Sequence, residues 1–231
     1  MEILSLLPFG AEEVFELVDI GGGSGRLAER VLERFAGARV TVVDQSAPFL
    51  GLAERRLARF APRANLVQSR LQDWPDRSRV SPKLDRVSEK RDYVAPAVIV
   101  STSAIHHLEP AEKQLLYAGC FAALAPGGMF INGDEFRPAD DREYLKLNEW
   151  WWAQMNAALS DGRIPESFRP TLAQWRDRNI TRFAEPKKSG DDCLETVETN
   201  SSYLRESGFA DVQLTWTEKL WGVLVAHKSV G

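Results

Sequence analysis

An α/β fold built on a mainly parallel sheet is what this chain predicts, and three observations carry the expectation. Short β-rich runs alternate with amphipathic helical stretches through residues 15–135, the pattern of repeated strand–helix–strand units. A glycine run in VDIGGGSGRLAER, residues 18–30, joins the first of these strands to the first helix. Two final β-rich runs, in DVQLTWTEKLWGVLVAHK, follow a long helical interruption and imply a sheet closed by a hairpin.

The elements follow in order. FELVDI (15–20) reads as the first strand, and Leu27, Val31, Leu32 and Phe35 then form a helical stripe closed by Gly37. ARVTVVD (38–44) is a second buried strand. Phe49, Ala53, Leu57 and Phe60 recur at helical spacing before Pro62. ANLVQSRL (64–71) and APAVIVSTS (95–103) read as strands three and four, with a polar, proline-punctuated connection over 74–93 that holds at most one helical turn. Residues 110–128 open with Pro110, place Leu116, Cys120 and Leu124 on one face, and stop at PGG. MFINGDEF (129–136) is a fifth strand. Residues 137–196 break the alternation as an aromatic, charged, mostly helical insertion, clearest over 143–159. SSYLRESGF (201–209) is a short helix ended by Gly208, and the last two strands turn near residues 219–222.

Bulk composition narrows the class. With 231 residues, 44% hydrophobic and 27% charged, the chain can bury a core without staples. A net charge of -4 leaves no electrostatic footprint for nucleic acid. The two cysteines are too few for a disulfide framework and have no metal-ligand spacing, so no metal is expected and a reducing cytoplasm fits. No apolar run approaches the roughly 18–20 residues of a membrane helix, and the N-terminus lacks the features of a cleavable leader. A homodimer is left open.

The glycine loop is the first candidate site. Absent side chains let backbone N–H groups approach a ligand, and the helix start favours a negative group. Residues 19–25 match D-x-G-x-G-x-G, yet residues 23–28 also satisfy the dinucleotide pattern G-x-G-x-x-G/A. Asp44 ends the second strand where either kind of site puts an acid on ribose hydroxyls, so loop and acid together do not choose the nucleotide.

The choice comes from the remaining motifs. VDIGGGSG, VTVVDQS, LQDW, VIVSTSAIHHL, LAPGGMFINGDEF and the terminal SGFADVQLTWTEKLWGVLVAHK, in this order, resemble the class I S-adenosylmethionine-dependent methyltransferases that act on small molecules. The resemblance covers about residues 14–134 and 197–228, the expected cofactor-binding core of a single domain, with 137–196 as a helical cap. It implies a Rossmann-like seven-stranded sheet of order 3-2-1-4-5-7-6 with strand seven antiparallel and helices on both faces. It also implies S-adenosyl-L-methionine as cofactor. Asp19, Gly21, Gly23 and Gly25 would frame the methionine moiety and sulfonium, and Asp44 the ribose. Asp73, with Trp74 after it, would meet the adenine amino group, Gln45 the ring, and Ser101 to Ser103 the methionine portion. Family members of this kind carry one or two helices before the first strand, and residues 1–14 are short for that. The expectation is that the insertion supplies the lid or that the chain is shortened there.

For chemistry, methyl transfer is an in-line displacement whose main demand is positioning, with a base near neutral pKa useful for a hydroxyl or ammonium acceptor. His106 and His107 end the fourth strand, where open α/β sheets bind ligands, and one of them, preferably His107, should face the cleft; a structural role for both stays open. Asp134 and Glu135 end the fifth strand on the same rim, where a carboxylate could orient an amine or a histidine, or simply be solvated. Trp150, Trp151 and Trp152 cannot all line one pocket, because successive helical residues point in different directions. The stripe of Leu147, Trp151, Met155 and Ala158 predicts packing of the insertion onto the core. Tyr144 and Arg137 are weaker pocket candidates. His227, Lys187 and Lys188 are expected to be structural or solvated. The reading is a methyltransferase for O, N or C of a small molecule, with a carboxy-S-adenosylmethionine synthase-like enzyme or a fold-retaining binding protein as rivals.

Overall fold

A computed structural model describes residues 3–75 and 94–230. Most of the expected connection over 74–93 lies outside the described residues. Seven strands form one sheet: β1 (Phe15–Ile20), β2 (Ala38–Asp44), β3 (Ala64–Gln68), β4 (Val98–Thr102), β5 (Met129–Glu135), β6 (Ala210–Glu218) and β7 (Trp221–His227). Their order is β3-β2-β1-β4-β5-β7-β6. The first five run parallel, and β7 runs antiparallel to β5 and β6. This is the topology that the resemblance implied.

Helices α1 (Arg26–Arg34) and α2 (Ala47–Leu57) cover one face, and α3 (Pro110–Ala123) and α6 (Val197–Glu206) the other. Three of these four helices start at a side-chain cap. Ser46 caps α2 by accepting from the Phe49 N–H, with a proline in the first turn. Glu109 and Glu112 form a capping box at α3. Thr196 caps α6 through the Thr199 N–H, which starts that helix earlier than its apolar spacing suggested. The first core gathers Phe15, Leu17, Val31, Leu32, Val40 and Val98. Leu4 and Leu7, from the segment before β1, are buried in it as well. The second gathers Ile20, Ile99, Leu116, Cys120, Phe130 and Leu204 on the opposite face.

Two packing expectations change. In α2 the stripe holds at Ala53 and Leu57, but its first core position belongs to Leu50, while Phe49 stays 51% exposed. In the insertion, α4 (Asp141–Ser160) packs against α5 (Arg169–Arg176) and the π-turn that follows it at Asp177–Thr181. Trp151 packs against Trp175 with centroids 4.2 Å apart and planes tilted by 42°, so its stripe holds the insertion to itself more than to the sheet. Trp150 and Trp152 diverge, beneath Lys219 and Arg176 respectively. No helix among the described residues is long and apolar enough to cross a membrane.

Candidate active site

The carboxyl ends of β1, β2, β3 and β4 open on a cavity of about 790 Å³, lined by residues 21–24, 44–46, 69–72 and 102–104, with His107, Ser189 and Gly190. Its floor is the glycine loop. Gly21 and Gly22 donate to the Val43 carbonyl at 2.8 and 3.2 Å, tying the turn to β2. Gly21 has φ +69°, and a Cβ there would meet the Ala104 Cβ at 2.4 Å, so the close approach of this loop to the segment after β4 requires glycine. A Cβ on Gly22 would lie 2.7 Å from the Asp19 carboxylate underneath.

Asp44 links the loop to α2. One carboxylate oxygen accepts the Gly23 N–H at 2.9 Å and the other the Ser46 N–H at 2.8 Å. Each oxygen retains a further lone pair, so this fixed carboxylate can accept two ligand hydroxyls. Arg56 donates to the Ser24 Oγ at 2.8 Å and holds the far side of the loop.

Of the residues singled out from sequence, Gly21, Gly23, Asp44, Gln45, Ser103 and His107 line the cavity. Gly25 instead packs at the start of α1 against Ala53 and Leu57. Ser101 is wholly buried between β1 and β5. Asp73 ends a 3-10 turn in which Leu71 and Gln72 reach the cavity and Asp73 does not, and Trp74 packs in the second core. Asp19 is fully buried with no hydrogen-bond donor on either oxygen among the described residues, and burial, then the nearby Asp44, pushes its pKa up to about 7.

The two histidines separate. His106 is buried, and its Nδ1 lies 2.5 Å from Asp134 Oδ1. The other oxygen of Asp134 accepts the Ile105 and His106 backbone N–H groups, each at 3.0 Å. Burial alone would lower the pKa of His106, but Asp134, with help from Glu135 and Asp192, outweighs it and raises it. His107 is about half exposed on the cavity side. Burial and the charge of His106 lower its pKa, against the pull of Asp192. Glu135, half-buried at the β5 end, is pushed up to about 7 by burial, opposed by His106 and reinforced by Asp192 and Asp134.

A strap from the insertion completes this side. Gly190 donates to the His107 carbonyl and Cys193 to the His106 carbonyl, at 2.8 and 2.7 Å. Lys113, buried on α3, binds the Cys193 carbonyl and Glu195. The strap sets Asp192 Oδ1 at 3.5 Å from His107 Nδ1 and 3.8 Å from His106 Nε2. The Asp191 carbonyl lies 3.3 Å from the same His107 nitrogen. Sequence reasoning missed Asp192, Asn179, Arg70 and Gln72. For Asp192 the only local signal is an acidic doublet in a polar loop, far along the chain from the histidines. Tyr144 is buried under Arg137, and neither lines the cavity. His227 lies on β7 beside a separate, smaller pocket. Lys187 is half-buried with its ammonium on the Arg178 carbonyl.

Residues 18–130 match a family model described as a methyltransferase domain. A trans-aconitate 2-methyltransferase of Paracidovorax citrulli is 32% identical over 128 residues, covering 55% of this chain and 41% of the relative. One from Variovorax paradoxus is 30% identical over 128 residues, 55% of this chain and 40% of its own length. The chain thus spans about two fifths of the length of the curated relatives it matches. Among solved structures, the pyocyanin biosynthetic protein PhzM superposes with TM-score 0.60 at 20% identity, over 99% of this chain and 53% of that one. Phosphoethanolamine N-methyltransferase 2 of Haemonchus contortus, solved with S-adenosyl-L-methionine, gives 0.61 at 14%, over 98% and 51%. At these identities the structural likeness speaks to the fold. With the strand order, the glycine loop and Asp44 in the places that the resemblance implied, residues 18–130 carry a methyltransferase-domain likeness on the fold shared with these solved structures.

Proposed function

We propose that this chain transfers a methyl group from S-adenosylmethionine to a small-molecule acceptor, with His107 as the general base. The observation that carries the reading is the single cavity that joins Asp44 and the glycine loop to His107. The residues fit the cofactor: a fixed carboxylate with spare acceptor capacity at Asp44, and a glycine loop whose Gly21 and Gly22 have no room for a Cβ. When bound, the cofactor supplies an electrophilic methyl group on a sulfonium. Gln45 and Gln72 supply polar groups to the cavity wall, and Phe49 at its rim supplies an apolar surface.

On the acceptor side, His107 has its Nδ1 turned to the Asp191 carbonyl and Asp192, which favours the tautomer with Nδ1 protonated and leaves Nε2 free to take a proton. Its lowered pKa keeps it neutral near pH 7, as a base must be. His106, held by Asp134, has the opposite task of fixing the turn beneath it. The insertion over 137–196 acts as the cap of the acceptor side, and its strap closes one wall with Ser189 and Gly190. The free, buried cysteines support a reducing cytoplasm as the compartment.

The test is transfer of label from methyl-labelled S-adenosylmethionine to the low-mass fraction of a cell extract. The reading expects label in small molecules with wild-type protein and its loss in His107→Ala, with binding of S-adenosylhomocysteine retained in both. Binding without any transfer would instead support a fold-retaining binding protein, and would sink catalysis.

A further inference from the structure

The groups behind His107 carry a chemical bias that the methyl-transfer reading does not require. Asp134, Glu135 and Asp192 converge on His106, which is the one imidazole they share. Neighbouring cations are engaged elsewhere. Arg178 pairs with Asp191, Lys113 with Glu195, and Arg137 with Asp141, while Lys187, whose charge is felt by Asp191 and Asp192, has its ammonium on the Arg178 carbonyl. Arg26 and Arg70 line the cavity from α1 and from the segment after β3, and among the described residues neither forms an ion pair with this group.

Hydrogen-bond capacity points the same way, and independently. Asn179 is 2% exposed and donates its side-chain N–H to Asp192 Oδ2 at 2.7 Å, while its own amide oxygen has no donor among the described residues. Asp192 Oδ1 faces ring nitrogens at 3.5 and 3.8 Å, too far for good hydrogen bonds. The place is rich in acceptors and poor in donors, it holds excess negative charge, and it meets the cavity through His107. A ligand group with several N–H donors and a positive charge satisfies all of this at once.

We propose that His107, Asp192, Glu135 and Asn179 form a subsite for the ammonium head of an amine-bearing acceptor, and that the chain selects such molecules over polyanions. The inference rests on the methyltransferase reading for the word acceptor, not for the subsite. It separates this chain from the trans-aconitate named in its curated relatives, since a polyanion would meet the Asp192 and Glu135 carboxyl groups here. A divalent metal on His106, His107 and Asp192 is the rival occupant, because their ligand atoms lie within 4.8 Å of one another. The nitrogen-to-oxygen spacings of 3.5 and 3.8 Å exceed the about 3.0–3.4 Å expected between ligands of one small ion, which favours ammonium.

Calorimetric titration with a matched pair decides it: tyramine and 4-hydroxyphenylacetate share a ring and hydroxyl and differ in the charge of one end. With S-adenosylhomocysteine saturating, tyramine should bind at least tenfold tighter than the carboxylate, and trans-aconitate should bind no better than the carboxylate. Asp192→Asn, and separately Glu135→Gln, should shrink the preference at least fivefold while S-adenosylhomocysteine affinity stays within twofold. Equal or reversed preference, no binding of tyramine at 10 mM (about a hundred times a typical working affinity of order 0.1 mM), or stoichiometric Zn²⁺ uptake without tyramine binding would each overturn the subsite. If the wild-type chain fails to bind S-adenosylhomocysteine, the methyltransferase reading falls, and the same amine titration without it still decides the subsite.

Discussion

Asp134 and His106 form a buried pair at 2.5 Å that joins the end of β5 to the turn after β4, and Asp134 also accepts both backbone N–H groups of that turn. The pair sets where His107 can point. Replacing Asp134 by Asn removes the charge that favours the protonated form of His106 and should cost about 3 kcal/mol of stability, read by urea unfolding. The pH dependence has a definite sign. The folded pKa of His106 is raised above 6.5, so its contribution is complete below the unfolded value and fades as pH climbs through the folded one. The wild-type and Asp134→Asn unfolding free energies should therefore converge on going from pH 6 to alkaline pH. A gap that widens instead contradicts the pairing.

His107 carries the opposite shift. Its lowered pKa predicts that the acid limb of kcat/KM falls below the ordinary histidine value of 6.5, since the neutral ring is the active form. His107→Ala should lower kcat about 10²–10⁴-fold while leaving S-adenosylhomocysteine affinity nearly intact. An acid limb above 6.5, or a His107→Ala enzyme with unchanged kcat, removes the histidine from catalysis.

Asp19 gives a third measurement. Its folded pKa of about 7 stands above the ordinary carboxyl value of 3.8, so the folded chain holds a proton that the unfolded chain gives up. That costs nothing below pH 3.8, grows as pH rises towards 7, and levels off above it, with an upper bound of about 4 kcal/mol. Asp19→Asn should therefore melt higher than wild type at pH 8 in the absence of ligand, and the advantage should disappear by pH 4. Equal melting at pH 8 would show that Asp19 is paired by something the cavity floor does not display.

Gly21 tests the loop itself. Gly21→Ala sets a methyl group 2.4 Å from the Ala104 Cβ at a positive φ, so it should abolish cofactor binding and lower the melting temperature. Adding Ala104→Gly removes the clash but not the left-handed strain of about 1–2 kcal/mol. Thermal melts of the double variant should show partial recovery. Full recovery would mean that φ does not matter there.

Much of this molecule is legible in the residues because local rules act on them. β1, β2, β5 and β7 follow from buried apolar runs, and α3 from Pro110 and its stripe. The order of the sheet came from resemblance, since hydrophobic period carries no information on which strands are neighbours. Asp44 was readable because strand, turn and helix force an acid at that point to the loop. Asp192 was not: it reaches His107 only because Lys113 and the histidine carbonyls hold the strap, contacts between distant parts of the chain. Asp73 against Gln72 shows the finer limit, as a 3-10 turn decides which of two neighbours faces the cavity.

The central claim is that the cavity between the glycine loop and His107 takes S-adenosylmethionine through Asp44. Calorimetric titration of S-adenosylhomocysteine into wild-type and Asp44→Ala protein tests it most directly. The account predicts one-to-one binding to wild type and a ten- to hundredfold loss in Asp44→Ala, the worth of about 1.5–3 kcal/mol for hydrogen bonds to a charged group. Folded wild-type protein that takes up no ligand at millimolar concentration, or an Asp44→Ala variant that binds as wild type does, would contradict it.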